Sequence, residues 1–452
     1  MSAFRVSMIV VFLSAGLCAC PLDAAENWIQ FRGPNGGVAE SADLPIEWAP
    51  NKSVVWKAAV PGISWSQPVV WGDKVFVTTA VSDQPSKPDP TKGGPGLSRF
   101  EFFFGASQTP PDIHYQWKLL CLDAGTGEVV WEKTAREGRP TMRIHPNNTY
   151  ASETPVTDGE RIIAYFGMAG VYCYDFDGRL IWEKDLGAYP MQFGWGTGSS
   201  PVLFENYLYI QCDNDKQSFL IALDKKSGEE VWRTPRAEKS NWSTPYVWIH
   251  ANRTELVTAG GSQMRSYDPG SGELLWSMRG SGRTATTPVA SKELLYVDSY
   301  DRLTGGSGTL AAVRPGASGE ITLTGKATET EHVAWNLPLR GQRVASPLVY
   351  KDCLYILEQN NGIVRCLDAL SGKEHYRERL PGTSGFTASP IAAADRVYCI
   401  DQNGTAVVLG AGPEFELLAT SELGEMCWAS PAVAGDRLLI RTLEHLHCIG
   451  DE

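Results

Sequence analysis

The chain has 452 residues, with 40 Lys+Arg against 52 Asp+Glu and a formal net charge of −12 at pH 7. This acidic balance excludes broad electrostatic binding of nucleic acid, because no basic surplus is available to neutralise phosphates. With 43% hydrophobic and 20% charged residues, the composition is that of a globular protein rather than a disordered or polytopic membrane protein. Fifteen tryptophans are an unusually large number, so their positions are informative.

The first 25 residues have the pattern of an export signal. Arg5 precedes an apolar run over residues 6–17, which is too short for a stable membrane anchor but suits a signal peptide. The sequence Leu17-Cys-Ala-Cys20 resembles a bacterial lipobox, which would leave Cys20 acylated; ordinary cleavage near Ala24 or Ala25 is the alternative. Either way we expect an exported protein, held at a membrane only through a lipid on Cys20.

Eight cysteines follow residue 20, and an exported compartment permits disulfides. They are dispersed, with no CxxC and no adjacent pair. Four of them (Cys121, Cys173, Cys366 and Cys448) occupy the same position of the repeat described next. We therefore expect small buried apolar side chains in equivalent strands, with one or more disulfides as the alternative.

A repeat accounts for almost all of the chain after the signal. A Ser-Pro, Thr-Pro or Gln-Pro dipeptide opens an apolar run eight times, and five of the seven spacings fall between 41 and 46 residues. Each opening is followed by a strand-like run, a turn and a second run. A third run then ends in Asp and a turn leads to an aromatic residue, as in CLDAGTGEVVW at 121–131. The prolines are Pro68, Pro155, Pro201, Pro245, Pro288, Pro347, Pro390 and Pro431.

About four short strands per 44 residues, with no competing helical periodicity, predict an all-β fold: an eight-bladed β-propeller of four-stranded antiparallel blades. The last unit lacks its fourth strand. A matching strand is present before the first repeat, at 53–60, and we expect it to join the last blade and close the ring, which removes an open sheet edge. The predicted organisation is a signal at 1–25, an N-terminal segment at 26–52 and one propeller at 53–452.

Two insertions interrupt the repeat. Residues 81–114 are rich in Pro and Gly and carry Phe100, Phe102, Phe103 and Phe104. They are either a surface loop that packs its own phenylalanines against the rim or a partner-binding loop. Residues 314–332 are expected to be a plain loop extension. The tryptophans that end the Asp motif (Trp131, Trp182, Trp232 and Trp276) are expected to pack between neighbouring blades.

The repeat resembles the pyrroloquinoline quinone (PQQ)-type propeller repeat. That repeat is shared by quinoprotein alcohol dehydrogenases and by BamB-type lipoproteins of outer-membrane assembly. Residues 27–37, NWIQFRGPNGG, look like the opening segment of exported planctomycete-type members. The resemblance covers roughly 27–452 and is specific for the fold, whereas fold alone does not determine function.

The sequence departs from the quinoprotein dehydrogenases in the residues that carry their chemistry. Those enzymes have an adjacent Cys-Cys pair beside the quinone and a Glu, Asn and Asp around Ca²⁺. The chain has no Cys-Cys pair and no assignable calcium set, and HExxH, GxSxG and P-loop motifs are also absent. Asp213-Asn214-Asp215 lacks the spacing of a calcium loop and is expected to be a solvated turn. We therefore assign no catalytic or metal-binding residue and expect no cofactor.

The loops that lead into the first strand of each blade should face the mouth of the central channel. Each loop supplies an aromatic residue or an arginine, and the turn before the second blade adds His145 and Asn148. These residues either form a platform for a planar, anionic or carbohydrate ligand or fill the channel as core, with the arginines paired to carboxylates such as Glu153. The predicted set is Trp65, His145, Asn148, Tyr150, Trp195, Trp242, Arg283, Arg343, Phe386 and Trp428.

The sequence favours a non-catalytic binding or assembly scaffold of the cell envelope that holds a protein partner or small ligand at the channel mouth. The alternative is a PQQ- and Ca²⁺-dependent dehydrogenase of alcohols or sugars, in which the tryptophans sandwich the quinone. Polysaccharide recognition is a third hypothesis. We expect a monomer.

Overall fold

Eight sheets form the molecule in a computed structural model that describes residues 27–49, 52–84, 109–280, 282–299, 308–339 and 343–450. The predicted export signal with Cys20 and the insertion phenylalanines lie outside these residues. Each sheet contains four antiparallel strands, the sheets follow one another in chain order, and their innermost strands contact one another around the ring. The prediction of an all-β, eight-bladed propeller is confirmed.

The first four blades follow two strands that precede the repeat, β1 (Val38–Ala39) and β2 (Val54–Ala59). The strands of blades 1 and 2 are β3 (Val69–Trp71), β4 (Lys74–Ser82), β5 (Tyr115–Asp123), β6 (Val129–Gly138), β7 (Val156–Thr157), β8 (Arg161–Tyr165), β9 (Val171–Asp175) and β10 (Leu180–Lys184). Those of blades 3 and 4 are β11 (Val202–Phe204), β12 (Tyr207–Cys212), β13 (Ser218–Asp224), β14 (Glu230–Arg236), β15 (Tyr246–Ile249), β16 (Thr254–Thr258), β17 (Gln263–Tyr267) and β18 (Leu274–Arg279).

The second half repeats the same order. The strands of blades 5 and 6 are β19 (Val289–Ala290), β20 (Leu295–Ser299), β21 (Gly308–Val313), β23 (Val333–Leu339), β24 (Leu348–Tyr350), β25 (Cys353–Leu357), β26 (Ile363–Asp368) and β27 (Glu374–Arg379), with β22 (Gly319–Glu320) inserted in blade 5. Those of blades 7 and 8 are β28 (Ile391–Ala393), β29 (Arg396–Ile400), β30 (Thr405–Gly410), β31 (Leu417–Glu422), β32 (Ala432–Ala434), β33 (Arg437–Arg441) and β34 (His445–Ile449). Two single 3₁₀ turns lie at Gly167–Ala169 and Gln192–Gly194. No helix of the described residues has the length and apolar character needed to cross a membrane.

The eighth sheet is completed from the other end of the chain. Strand β2 pairs antiparallel with β34, with Trp56 opposite Cys448 and Lys57 opposite His447, and the sheet order is β2-β34-β33-β32. Strand β1 adds to a different sheet, where it lies parallel to β28 of blade 7. The N-terminal segment is therefore hydrogen-bonded to two blades.

The hydrophobic core lies between neighbouring blades rather than in one central cluster. Sheets that are covered on both faces can have middle strands that are buried continuously instead of alternating with exposed residues. Strand β13, for example, is buried over six consecutive residues. One core cluster joins Val156 and Ile163 of blade 2 to Leu208 and Ile221 of blade 3.

The tryptophans that end the Asp motif pack between blades as predicted. The indole N–H of Trp182 on blade 2 donates to the carbonyl oxygen of Lys225 in the Asp turn of blade 3, at 3.1 Å. Trp131 and Trp232 make the same bond to the next blade. Trp276 also lies in the core between blades 4 and 5, but its indole N–H donates to Glu255 of its own blade. The next blade, blade 5, has Arg-Pro-Gly in place of the Asp turn.

The 314–332 extension is not the plain loop that we expected. Its strand β22 pairs in parallel with β18 and adds a fifth strand to blade 4. Ala317 and Ile321, which flank it, are buried in the core between blades 4 and 5. The extension therefore covers the outer edge of a neighbouring blade.

All eight cysteines after residue 20 are free thiols within the described chain, and seven of them are buried. Burial raises the pKa of the Cys121, Cys173 and Cys448 thiols to about 12. A thiol that stays protonated behaves as a small apolar side chain, as the repeat position predicts.

Candidate functional site at the channel mouth

A belt of hydrogen bonds around the channel explains why a residue with a hydrogen-bonding side chain precedes each repeat proline. In six of the eight blade pairs, this residue's backbone N–H donates to the hydroxyl of the equivalent Ser or Thr in the next blade. The distances are 2.9–3.0 Å, as for Ser200 N to Thr244 Oγ1 and Ser389 N to Ser430 Oγ. The first blade carries Gln67 instead, and its side-chain amide donates to the carbonyl of Pro431.

The N-terminal segment crosses the ring on the other side of this belt from the lead-in loops. The carbonyls of Trp28 and Ile29 accept from the first and second blades, at Val70 N and Thr157 N. Gln30 then binds the backbone of the third blade, and the carbonyl of Gly37 accepts from the seventh. These partners come after the repeat prolines, whereas the lead-in loops come before them, so the segment lies across the opposite end of the channel from the lead-in loops. We refer to the end with the lead-in loops as the mouth.

Aromatic side chains from consecutive blades contact one another along part of the mouth. Trp428 of blade 8 stacks on Trp65 of blade 1, with ring centroids 5.5 Å apart and an interplanar angle of 27°. Trp195 of blade 3 contacts Trp242 of blade 4 at 5.5 Å, and His145 meets Trp195 edge-on at 6.0 Å. We call Trp428, Trp65, His145, Trp195 and Trp242 the aromatic arc; each is half-buried.

Hydrogen bonds from the blade-2 loop hold the two halves of the arc together. The indole N–H of Trp65 donates to the carbonyl of Asn147 at 2.9 Å. The Asn148 amide donates to the carbonyls of Trp195, at 2.7 Å, and Thr197, at 3.0 Å. His145 accepts the Asn147 N–H on Nδ1 and thereby closes the turn. Five consecutive blades, from the eighth to the fourth, thus contribute to one connected surface.

Six of the ten sequence-predicted residues lie in this surface: the five of the arc and Asn148. Three others are buried rather than exposed at the mouth. Tyr150 packs in the core against Trp117, donates its hydroxyl to the carbonyl of Met142, and reaches the lining of the cleft described below. Phe386 is 0% exposed in the core between blades 6 and 7, and Arg343 is 4% exposed and engaged by a carboxylate.

Arg343 forms a buried ion pair with Asp298 of the preceding blade, with both nitrogen–oxygen distances at 2.6–2.7 Å. This is the arginine–carboxylate alternative left open by the sequence, with Asp298 as the partner. The tenth residue, Arg283, is half-buried beside Gly261 of blade 4.

A cleft of about 530 Å³ adjoins the arc. His145, Asn148, Arg143 and Ile144 line it on the blade-2 side, and Ile63 and Tyr115 belong to the blade-1 side. Its described lining contains an arginine and a histidine but no carboxylate. The arc and the cleft therefore present aromatic and apolar surface with a cationic edge.

The buried carboxylates around the ring are structural. Asp213 is fully buried and receives two hydrogen bonds from Arg236 at 2.7 and 3.0 Å, so the Asp213-Asn214-Asp215 segment is not the solvated turn that we expected. Glu238 is engaged by Arg265. Glu153 has no arginine partner within the described part of the chain; burial raises the pKa of its carboxyl to about 7, opposed by a hydrogen bond from Thr197.

These residues do not fit a quinone with calcium. The tryptophans of the arc already contact one another in pairs, so a planar ring sandwiched within either pair would have to separate them. Calcium needs several ionised or carbonyl oxygens, whereas two of the carboxylates described above are neutralised by arginines and the carboxyl of Glu153 has a pKa of about 7. No catalytic step through that cofactor follows from the described residues.

The fold and repeat define a PQQ-like, eight-bladed β-propeller. The sequence model of the family described as outer membrane protein assembly factor BamB matches residues 167–412, more than half of the chain. The chain belongs to this family.

A curated BamB of Marinobacter adhaerens is 29% identical over 119 residues, which are 26% of this chain and 25% of that protein. The match thus spans about a quarter of the relative's length. The crystal structure of BamB from Moraxella catarrhalis superimposes with a TM-score of 0.57 at 12% identity, covering 88% of this chain and 97% of that one. The computationally designed Ika8 protein gives 0.51 at 12% identity, over 75% and 92%. At these identities the two structures support the fold.

Sequence reasoning missed the belt of hydrogen bonds, although the Ser or Thr before seven of the eight repeat prolines was visible in the sequence. It also missed a cluster at Glu425, His445 and His447, whose only local signal was the alternating His-Leu-His of the last strand.

Proposed function

We propose that this protein is an exported, non-catalytic scaffold of the cell envelope that binds a protein partner through the aromatic arc. Membership of the BamB family supports a role in envelope assembly, and the export-type N-terminus agrees with that location. The observation that carries the binding site is the connected arc of four half-buried tryptophans and one histidine, contributed by five consecutive blades.

The chemistry of the arc indicates the kind of partner. Tryptophans that are partly exposed and already held in place bury much apolar area with little loss of side-chain freedom, which makes Trp a frequent hot-spot residue of interfaces. The N-terminal segment is hydrogen-bonded to several blades at the opposite end of the channel. We therefore infer that the partner presents an extended segment with apolar side chains to the mouth side.

Site-specific photo-cross-linking tests this proposal. A photoreactive amino acid is placed at position 65 or 242 of the arc, or as a control at Leu180, which is 49% exposed on the outer strand of blade 2. We expect one envelope protein to cross-link from both arc positions and not from position 180. Equal labelling from all three positions, or none from the arc, would contradict the proposed site.

A titration with PQQ and Ca²⁺ tests the alternative. The proposal predicts no saturable quenching of tryptophan fluorescence and no dye-linked oxidation of alcohols or aldose sugars. Saturable quenching accompanied by dye reduction would establish a dehydrogenase and overturn the scaffold.

A further inference from the structure

Two histidines and a glutamate converge beside the arc, at the seam where the ring closes. His445 and His447 lie two residues apart on β34, so their side chains point to the same face of the sheet. Glu425 lies in the loop that leads to Trp428 and into blade 8. The turn between β33 and β34 packs on this loop, with Leu443 N donating to the carbonyl of Met426.

The three side chains present one ligand-type atom each within a small volume. One carboxylate oxygen and two imidazole nitrogens all lie within 4.8 Å of one another. Glu425 Oε1 is 2.7 Å from His445 Nδ1 and 3.9 Å from His447 Nε2. The Nδ1 atom is buried and is not aligned for a hydrogen bond despite this short distance.

A hydroxyl from the turn between β33 and β34 holds two of the three side chains in place. Thr442 Oγ1 contacts Glu425 Oε2 at 2.7 Å and His447 Nε2 at 3.3 Å and so orients both groups.

Two cations nearby oppose a metal ion and must be counted. Lys57 Nζ lies 2.7 Å from Glu425 Oε1, but its side chain is 42% exposed and can move into solvent. Arg441, the last residue of β33, is fully buried and cannot leave. An incoming ion therefore displaces Lys57 and tolerates Arg441, which limits its affinity.

We propose that Glu425, His445 and His447 bind a divalent first-row transition-metal ion, with Zn²⁺ as the reference ion. Two imidazole nitrogens and one carboxylate oxygen are ligands of Zn²⁺ and its neighbours, whereas Ca²⁺ and Mg²⁺ prefer oxygen ligands throughout. The ion would tie the loop that carries Trp428 to the last strand of the ring. This site goes beyond the proposed function and does not depend on it.

The test is a Zn²⁺ titration of the chelator-treated, tag-free full chain against a chromogenic metal indicator. We expect one equivalent of Zn²⁺ to bind, to raise the thermal midpoint, and to be unmatched by Ca²⁺. E425Q and H445A should weaken binding by about tenfold or more, whereas K57Q should strengthen it because the competing ammonium is gone. His375 is exposed on blade 6, and H375A should bind as the native chain does.

Circular dichroism first checks that each variant is folded; H445A replaces a partly exposed side chain and is the safer histidine variant. Absence of stoichiometric binding by the native chain would overturn the proposal. So would unchanged affinity in both E425Q and H445A, or an equal loss in H375A.

Discussion

The contact between each turn glycine and the preceding blade's tryptophan yields a sharp test of how the blades are joined. Gly228 lies in the Asp turn of blade 3 with φ +72°, and a Cβ built on it would approach the Trp182 ring to 2.6 Å. Gly319 has nearly the same φ, +71°, but a Cβ there meets nothing within 4 Å. The pair separates backbone strain from inter-blade packing.

Both alanine variants place a Cβ on a residue in the left-handed backbone conformation, which destabilises the fold by about 1–2 kcal/mol. Gly228→Ala must in addition move the Trp182 ring, which costs about 1–3 kcal/mol by the usual cost of overpacking, and it disturbs the indole bond to Lys225. We therefore expect Gly228→Ala to destabilise the fold by about 2–5 kcal/mol and Gly319→Ala by about 1–2 kcal/mol.

Urea unfolding followed by tryptophan fluorescence measures both, together with Trp182→Ala and the double variant Gly228→Ala/Trp182→Ala. Removing the ring removes the clash, so the two changes should be non-additive, with the double variant less destabilised than the sum. Equal destabilisation by the two glycine variants, or strict additivity of Gly228→Ala with Trp182→Ala, would contradict the reasoning. Inter-blade packing would then not be the reason why the spacing of Asp, Gly and Trp recurs along this chain.

Three further predictions concern the belt and the buried charges. Thr244→Val removes a hydroxyl that accepts a hydrogen bond from the preceding blade, whereas Thr287 Oγ1 has no partner among the described atoms. Thermal unfolding should therefore show that Thr244→Val destabilises the fold by about 1–3 kcal/mol more than Thr287→Val does. Equal destabilisation by the two variants would exclude a stabilising belt. Because the folded-state pKa of Glu153 is raised from 4.5 to about 7, the native protein retains a proton that the unfolded chain releases, so stability should fall as pH rises from about 4.5 to 7. Glu153→Gln should flatten this dependence in urea unfolding and exceed the native stability at pH 8, and an unchanged slope would contradict the assignment. Arg343→Met leaves Asp298 buried without its cation and should cost about 3–5 kcal/mol, part of which the added change Asp298→Asn restores; a thermal midpoint that the second change lowers further would argue against this reasoning.

The fold was predictable because the residues that recur in each repeat are those that make the contacts between neighbouring blades. Each Asp turn, glycine and tryptophan forms part of a contact with the adjacent unit, so the period of about 44 residues directly reports a blade. The function of the Ser or Thr before six of the eight repeat prolines was not predictable, because its partner is a backbone N–H on another blade, for example 41, 44 or 46 residues earlier in the chain.

The candidate site was predicted in part. The lead-in position located the tryptophans of the arc, but position along the chain does not fix the direction of a side chain. Phe386 and Tyr150 lie in the equivalent lead-in loops, within two residues of the repeat position of Trp65, and turn into the core. Arg343 turns toward Asp298, 45 residues away on the neighbouring blade. Periodicity identifies equivalent positions, whereas the environment of each blade decides what its side chain contacts.

The aromatic arc is proposed as a partner-binding surface. The most direct test is the dissociation constant of the partner identified by cross-linking, measured for the native chain, Trp65→Ala, Trp242→Ala and the rim control Leu180→Ala. Loss of an interface hot spot costs about 2 kcal/mol or more, which is about thirtyfold in Kd. We expect that loss for both tryptophan variants and native affinity for Leu180→Ala. Native affinity in both tryptophan variants, with correct folding, would contradict it.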